Sequence, residues 1–369
     1  MENRTVSIKE KAILLVLFVF IIGCKQRNHE NSTIYVNQPV ISFNNDVADS
    51  VDTPIKFMNV ALKWDKIDSI EIDDFIDTIL TVKLETGDNF LIGRIDKVYI
   101  LTDRIVVFDQ NLAQAIFVFD LSGKFINKYN KRGLGPGEYV ALNDLAASSD
   151  SIFALINNSA ILYFDKNLNL TQTVKLDCWA SCLAKDVNSS GFIINGITPE
   201  GDYAYCNSTG KSLKHFLKNH NSGNIFGMHN YSVVNKSNLF YHPLLDTVYS
   251  IGQNKCTPVR FFCRDKSKGY FSYFETNHAI FFRNNMRWLY KNKISNQEYW
   301  VNFHTTSSKS LIFSHYYIDG IYKEFFISSL DPAYIFSETA MKFSDNFINE
   351  IRKEVTIDSN PIILLTKFK

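Results

Sequence analysis

Long apolar runs are scarce in this chain. Among 369 residues only Ala12–Ile22 is continuously apolar, and its 11 residues fall short of the about 20 that a membrane-spanning helix needs. A multi-span membrane protein is thereby excluded. Glycine and proline are sparse as well, at 16 and 8 residues, which excludes collagen-like and low-complexity chains. An excess of either charge is missing, since 39 basic side chains stand against 38 acidic ones. So balanced a chain offers phosphates no electrostatic footprint, and no nucleic-acid partner is expected. What is abundant is apolar and aromatic surface: 46% of residues are hydrophobic, with 30 Phe and 18 Tyr. A solvated, disordered chain does not carry that much.

The amino terminus reads as an address. Arg4, Lys9 and Lys11 form a basic segment ahead of the apolar run, the layout of a secretory signal. The run ends in Ile21-Ile22-Gly23-Cys24, which resembles the bacterial lipobox. That resemblance implies cleavage before Cys24 and diacylglyceryl transfer to its thiol; the competing reading is an ordinary secretory signal with a chance cysteine. Two or more acyl chains are enough for stable anchoring. Lys25, where an Asp would imply inner-membrane retention, points to the outer membrane. The expected division is therefore a signal peptide over 1–23, a polar tether over 24–54 and a folded domain over 55–369. Cleavage leaves 36 charges of each sign. Besides Cys24, the cysteines are Cys178, Cys182, Cys206, Cys256 and Cys263, an odd number with no zinc-ribbon spacing. Most are read as small buried hydrophobes.

Beyond residue 67 the pattern is short strands rich in Ile, Val, Phe and Tyr, separated by Asp, Asn, Gly and Ser. Ile79–Leu84, Lys97–Leu101, Arg104–Phe108, Ala115–Phe119 and Lys124–Tyr129 are expected strands. Helical periodicity is confined to Ser344–Val355, where Phe347, Ile351 and Val355 share a face behind a Ser cap, and, more weakly, to Phe281–Tyr290. A repeat is visible. Ile116–Lys124, with its Phe-Asp-x-x-Gly-Lys, is echoed by Ile161–Asn167 and again by Tyr203–Lys211. Each unit is a strand, an Asp or Asn turn and a second strand. A four-stranded sheet of that length cannot bury both faces alone, but sheets stacked radially cover one another, which predicts an all-β propeller. At about 45 residues per unit, 315 residues give seven blades, and subtracting the helical stretches brings the number nearer six. Both chain ends carry strand-like runs, so Pro361–Phe368 and a strand from within 55–84 are expected to share the closing blade.

Four segments carry a resemblance. They are Val82–Thr86 with Leu91–Ile95; Gly123–Ile126 with Gly133-Leu134-Gly135-Pro136-Gly137-Glu138-Tyr139; Asp246–Tyr249 with Pro258; and Asn360–Leu364. Together with the lipobox they resemble the bacterial six-bladed β-propeller lipoproteins, which are similar to NHL-repeat propellers. The resemblance implies six blades and an envelope location, and no reaction; the short helical insert expected near the carboxy terminus rests on the Ser344–Val355 periodicity.

Residues that could carry chemistry are few. The Gly133–Gly137 segment lacks the Walker Lys-Ser/Thr and the dinucleotide spacing, and reads as an inter-blade turn. Arg132 and Glu138 flank it as candidates for the channel mouth or for a local ion pair. Eight histidines show no metal-ligand pattern, and His215 and His220 are unsuitably spaced. His304 and His315 flank an expected hairpin turn, where they would approach one another. His242, before Pro243, is expected on a loop surface as a binding candidate. No nucleophile elbow occurs. The expected function is a lipid-anchored binding module for a peptide, a glycan or an envelope protein. The alternative, by analogy with six-bladed lactonases, is a calcium-dependent hydrolase with scattered acidic ligands at the channel. Replacing Cys24 with Ala is expected to abolish incorporation of radiolabelled palmitate and to move the protein out of the membrane fraction. Unchanged labelling in that variant would refute the anchor.

Overall fold

The computed structural model describes residues 58–61, 68–198, 201–217, 231–263, 271–284, 287–302, 308 and 318–369. The expected signal peptide and tether, and with them Cys24, lie outside these residues, as do His304 and His315.

The amino-terminal segment supplies β1 (Met58–Ala61), β2 (Asp68–Glu71), the single-turn helix α1 (Ile72–Phe75) and β3 (Ile76–Lys83). Four-stranded antiparallel meanders follow. Blade 1 is β4 (Lys97–Ile100), β5 (Arg104–Asp109), β6 (Ala115–Asp120) and β7 (Phe125–Tyr129). Blade 2 is β8 (Leu142–Ala147), β9 (Ser151–Ile156), β10 (Ala160–Asp165) and β11 (Leu170–Lys175). Blade 3 is β12 (Cys182–Lys185), β13 (Phe192–Thr198), β14 (Gly201–Cys206) and β15 (Ser212–Phe216). Blade 4 is β16 (Tyr231–Val234), β17 (Ser237–His242), β18 (Thr247–Ile251) and β19 (Cys256–Cys263). Blade 5 is β20 (Phe271–Glu275), β21 (Ala279–Asn284), β22 (Arg287–Asn292) and β23 (Glu298–Asn302). Blade 6 takes β24 (Gly320–Tyr322), β25 (Phe325–Leu330) and β26 (Ile362–Phe368) from the carboxy-terminal end and completes itself with β3. The fold is a six-bladed β-propeller.

Why the strands read as near-continuous apolar runs is clear from their packing. Successive side chains of a strand point to opposite faces. On β5, Ile105 and Val107 pack toward blade 6 while Val106 and Phe108 pack toward blade 2. On β6, Phe117 and Phe119 take the first side, and Ile116 and Val118 the second. Neither face is wet, so neither can be polar. Six apolar clusters result, one for each junction between adjacent blades.

The repeated turns are equivalent. In β6, β10 and β14, each the third strand of its blade, Asp120, Asp165 and Asn207 end or follow the strand. Each side-chain oxygen accepts from amides two and four residues on, at 2.8 to 3.1 Å. The fourth position of the turn has positive φ: +88° at Gly123, +83° at Gly210 and +63° at Leu168. Glycine is free to adopt it; Leu168 adopts it at a steric cost and is kept there by burial in the junction of blades 1 and 2. At Gly123 and Gly210 a Cβ would also collide with the carbonyls of Lys83 and Lys175, the last residues of the preceding blades' outer strands.

Two expectations need correction. Phe281–Tyr290 is a hairpin, with Phe281 opposite Tyr290 and Phe282 opposite Leu289. Its apolar residues alternate between two junctions, Phe281 in one and Phe282 in the other, which a helix cannot do. The carboxy-terminal helix α3 (Asn346–Glu354) begins later than expected. Its cap is Asp345, whose carboxylate accepts from the Ile348 amide at 3.2 Å, and it buries Ile348 and Ile351. It sits with α2 (Pro332–Ile335) between β25 and β26.

The amino-terminal strands form a belt that the sequence did not announce. β1 adds in parallel to the outer strand of blade 4, β2 adds in parallel to that of blade 5, and β3 then enters blade 6. Closure is as expected: β26 is hydrogen-bonded to β25 on one side and to β3 on the other, from Ile362↔Lys83 to Phe368↔Ile76. The Phe368 ring stacks on Phe75 at 4.6 Å and meets Phe281 at 5.0 Å, so both chain ends lock against blade 5. Deleting residues 361–369 removes the strand between β25 and β3 and is expected to abolish cooperative thermal unfolding and near-UV dichroism. A deletion variant with an unchanged melting temperature would refute closure by this blade.

Candidate functional site: the central channel

The first strand of each blade faces the propeller axis. β4, β8, β12, β16, β20 and β24 converge there, and β24 and β4, neighbours in the ring, approach closely: a Cβ on Gly320 would lie 2.2 Å from the Val98 carbonyl. Between them runs a cavity of about 710 Å³, lined from all six blades. Polar side chains include Lys97, Lys185, Tyr231, Asp319 and Lys323, and apolar ones Tyr99, Val187, Val233, Phe274 and Ile321.

Buried charges tie the inner strands together. Lys97 Nζ on β4 reaches Asp144 Oδ1 on β8 at 2.5 Å, while the other oxygen of Asp144 accepts from the Leu183 amide on β12 at 2.8 Å. One carboxylate thus joins three successive blades. Burial, the largest single influence, disfavours the Lys97 cation, but Asp144, Tyr99 and Cys182 together outweigh it, so its pKa lies above the ordinary lysine value. Removing either partner would strand a charge, at about 3–5 kcal/mol. The next junction uses Asp186, which accepts from Asn238 Nδ2 on β17 at 2.7 Å. Lys185, lowered by burial with Asp186 opposing, donates to the carbonyls of Asp186, at 2.9 Å, and Ser189. Tyr231 Oη donates to the Lys185 carbonyl at 3.2 Å.

Asp319 differs. It precedes β24, is 6% exposed, and its Oδ2 has no hydrogen-bond partner. Burial pushes its carboxyl up to about 7, against a hydrogen bond from Ser329, with Asp96 adding to the rise and Arg283 opposing it. Near neutrality the wall of the channel therefore carries a buried carboxyl shared between acid and carboxylate, one of whose oxygens has no hydrogen-bond partner.

The candidates from sequence fall elsewhere. Arg132 and Glu138 lie on the connector between β7 and β8, and neither lines the cavity. Glu138 Oε2 turns back onto the loop to accept from the Gly135 amide at 2.8 Å, and Arg132 is exposed and bridges to Tyr139. Tyr139 is buried and donates to the Gln114 carbonyl at 2.5 Å, and Tyr129 Oη donates to the Gly137 carbonyl at 2.5 Å. The glycine-rich segment is a packed inter-blade connector. His242 is not on a loop surface: it is the last residue of β17 and fully buried. Its Nδ1 accepts from the Leu245 amide at 3.3 Å, which leaves Nε2 to donate to Asp202 of blade 3 at 3.2 Å. Pro243 does start a turn, but the strand runs to its edge. The channel residues went unnoticed because nothing local distinguishes an inner strand from an outer one. Once β3 is known to end blade 6, every fourth strand from Lys97 onward faces the axis.

A sequence profile described as a domain of unknown function, DUF4934, matches residues 55–367. The chain belongs to the DUF4934 family. No curated protein matches it in sequence. Among solved structures, a Bacteroides fragilis NCTC 9343 protein whose name describes it as exported superposes with a TM-score of 0.70 at 16% identity, over 82% of this chain and 98% of that one. At that identity the likeness concerns the fold. BamB of Moraxella catarrhalis superposes with a TM-score of 0.39 at 9% identity, over 60% of this chain and 63% of that one, too little to carry an argument. Among the described residues no helix is long and apolar enough to cross a membrane, and no group of three or more His, Cys, Asp or Glu is placed to hold a metal ion.

The folded Asp319 carboxyl keeps its proton to about pH 7, whereas an unfolded one loses it near pH ~3.9. Stability is expected to fall as pH rises between these values and to level off above them, because the unfolded state releases the proton first. Asp319→Asn is expected to flatten that stretch of a plot of melting temperature against pH and to be the more stable protein at pH 8. Parallel curves for the two proteins would refute the burial of this carboxyl.

Proposed function

We propose that this protein is a binding module of the cell envelope, anchored through Cys24 to the outer membrane, which takes a peptide, a glycan or a partner protein at one end of its channel. The observation that carries the reading is the cavity itself. It is lined by exposed apolar side chains, Val187 at 42% and Val233 at 44%, together with Lys323 and the carboxyl-bearing residue Asp319. Apolar surface with a few fixed polar groups is what ligand sites offer. Lys97 with Asp144 and Asp186 with Asn238 are hydrogen-bonded across blade junctions, as structural groups are, whereas Asp319 Oδ2 has no partner. The envelope location rests on the lipobox-like segment, and the fold-sharing B. fragilis protein, named as exported, is in keeping with it. The calcium-dependent hydrolase remains the rival reading.

The test is a thermal-shift series on the domain 55–369 with cell-wall muropeptides, oligosaccharides and short peptides as probes, alongside calcium and a chelator. Stabilisation by one probe class is expected, and Val233→Trp, a substitution at an exposed channel position, is expected to abolish it while leaving the unliganded melting temperature within about 1 °C, as surface changes do. A shift that survives Val233→Trp would place the site elsewhere. A large shift with calcium, reversed by chelation, would favour the hydrolase.

A further inference from the structure

We propose that Cys178 and Cys206 form a disulfide bond in the exported protein, a covalent clasp between the connector that enters blade 3 and the third strand of that blade. Cys178 lies on the connector between β11 and β12, half-buried, and Cys206 ends β14, fully buried. Both sulfurs meet one hydroxyl: Ser212 Oγ is 3.1 Å from Cys178 Sγ and 3.6 Å from Cys206 Sγ. Ser212 is fixed in turn, since its Oγ donates to Asp177 at 2.5 Å and its amide to the same carboxylate at 3.0 Å.

The backbone on either side of Cys178 is held as well. The amides of Leu176, Asp177 and Ala180 donate to the carbonyls of Ser159, Gly210 and Asn158 at 2.8, 3.2 and 2.8 Å. The thiols are therefore brought together by a hydrogen-bonded frame, not by a chance approach of two mobile side chains. Their protonation is divided. The Cys178 thiol is lowered to about 7, first by its hydrogen bond with Cys206, against burial. That same bond, with burial, raises Cys206. By contrast, burial alone pushes Cys256 up to about 12, the behaviour of an inert core thiol.

The half-buried, more acidic sulfur is the one to react first. The Cys178 thiolate attacks a disulfide borne by a thiol oxidase of the envelope, and one sulfur of that disulfide leaves as thiolate. Cys206 then attacks the Cys178 sulfur of the mixed disulfide and displaces the oxidase's second sulfur. Two thiols of this protein lose two electrons and two protons, and the oxidase disulfide gains them as a dithiol. The clasp joins the blade 2–blade 3 connector to β14, so it braces the junction at which the outer strand of blade 2 hands over to the next sheet.

The inference requires export and is independent of what the channel binds. The full chain, with its own amino terminus, is expressed, fractionated to establish export, alkylated under denaturing non-reducing conditions and digested with trypsin. Peptides Leu176–Lys185 and Asp186–Lys211 are expected as one cross-linked species, two hydrogens lighter than their sum. The link is expected to persist in Cys182→Ser and to vanish in Cys178→Ser, and reduction is expected to lower the melting temperature by about 4 °C in the wild type and in Cys182→Ser but not in Cys178→Ser. Recovery of both Cys178 and Cys206 as alkylated residues from the exported fraction, or loss of the link in Cys182→Ser, would overturn the proposal.

Discussion

Apolar residues on both faces of every sheet are the constraint from which the rest of this structure follows. A sheet with one polar face can stop at water; these sheets cannot. Val106 and Val107, adjacent on β5, are both wholly buried, in different clusters. Each blade must therefore be covered twice, and a finite stack of such sheets is satisfied only by closing on itself. The pairing of β26 with β3 supplies the closure, and it draws on sequence separated by most of the chain. The about 25 cal/mol gained per Å² of apolar surface buried acts at each junction, yet every junction depends on the ring being shut.

Closure also determines where polarity goes. Backbone groups on the inner strands and the side chains crossing the junctions are out of water and must pair. The solutions differ from blade to blade: Lys97 with Asp144 and the Leu183 amide, Asp186 with Asn238, His242 with Asp202, and Arg260 with Glu275. No sequence motif unites them, because the requirement is only that a donor meet an acceptor across a junction. The channel is what remains when these pairs are made, a space whose wall is mostly satisfied and whose chemistry resides in the few groups that are not.

What was legible in the sequence is what repeats locally. The side chains of Asp120, Asp165 and Asn207 each organise their own turn within five residues, so the turn, the strand before it and the equivalence of three blades could be read without knowing the fold. The strand near the carboxy terminus was legible for the same reason. Features set by distant partners were not. β1 and β2 are four residues each and owe their extended form to the edges of blades 4 and 5. Phe281–Tyr290 carries apolar residues that suit a helix as well as a hairpin until two neighbouring blades demand opposite faces. His242 looked exposed beside Pro243 because the buried Asp202 lies 40 residues away. Among the site residues, Asp319 has no local signature at all: its chemistry comes from burial beside β4.

The amino-terminal belt has a mechanical consequence. Traction applied to the amino end reaches β1 first, then β2, and only afterwards β3. The first two are four-residue parallel ladders, whereas β3 is an eight-residue strand paired antiparallel along its length. Load is therefore taken up in series, with the weakest attachments outermost. Under such a load the short ladders at the edges of blades 4 and 5 would part before the seam of the ring is strained.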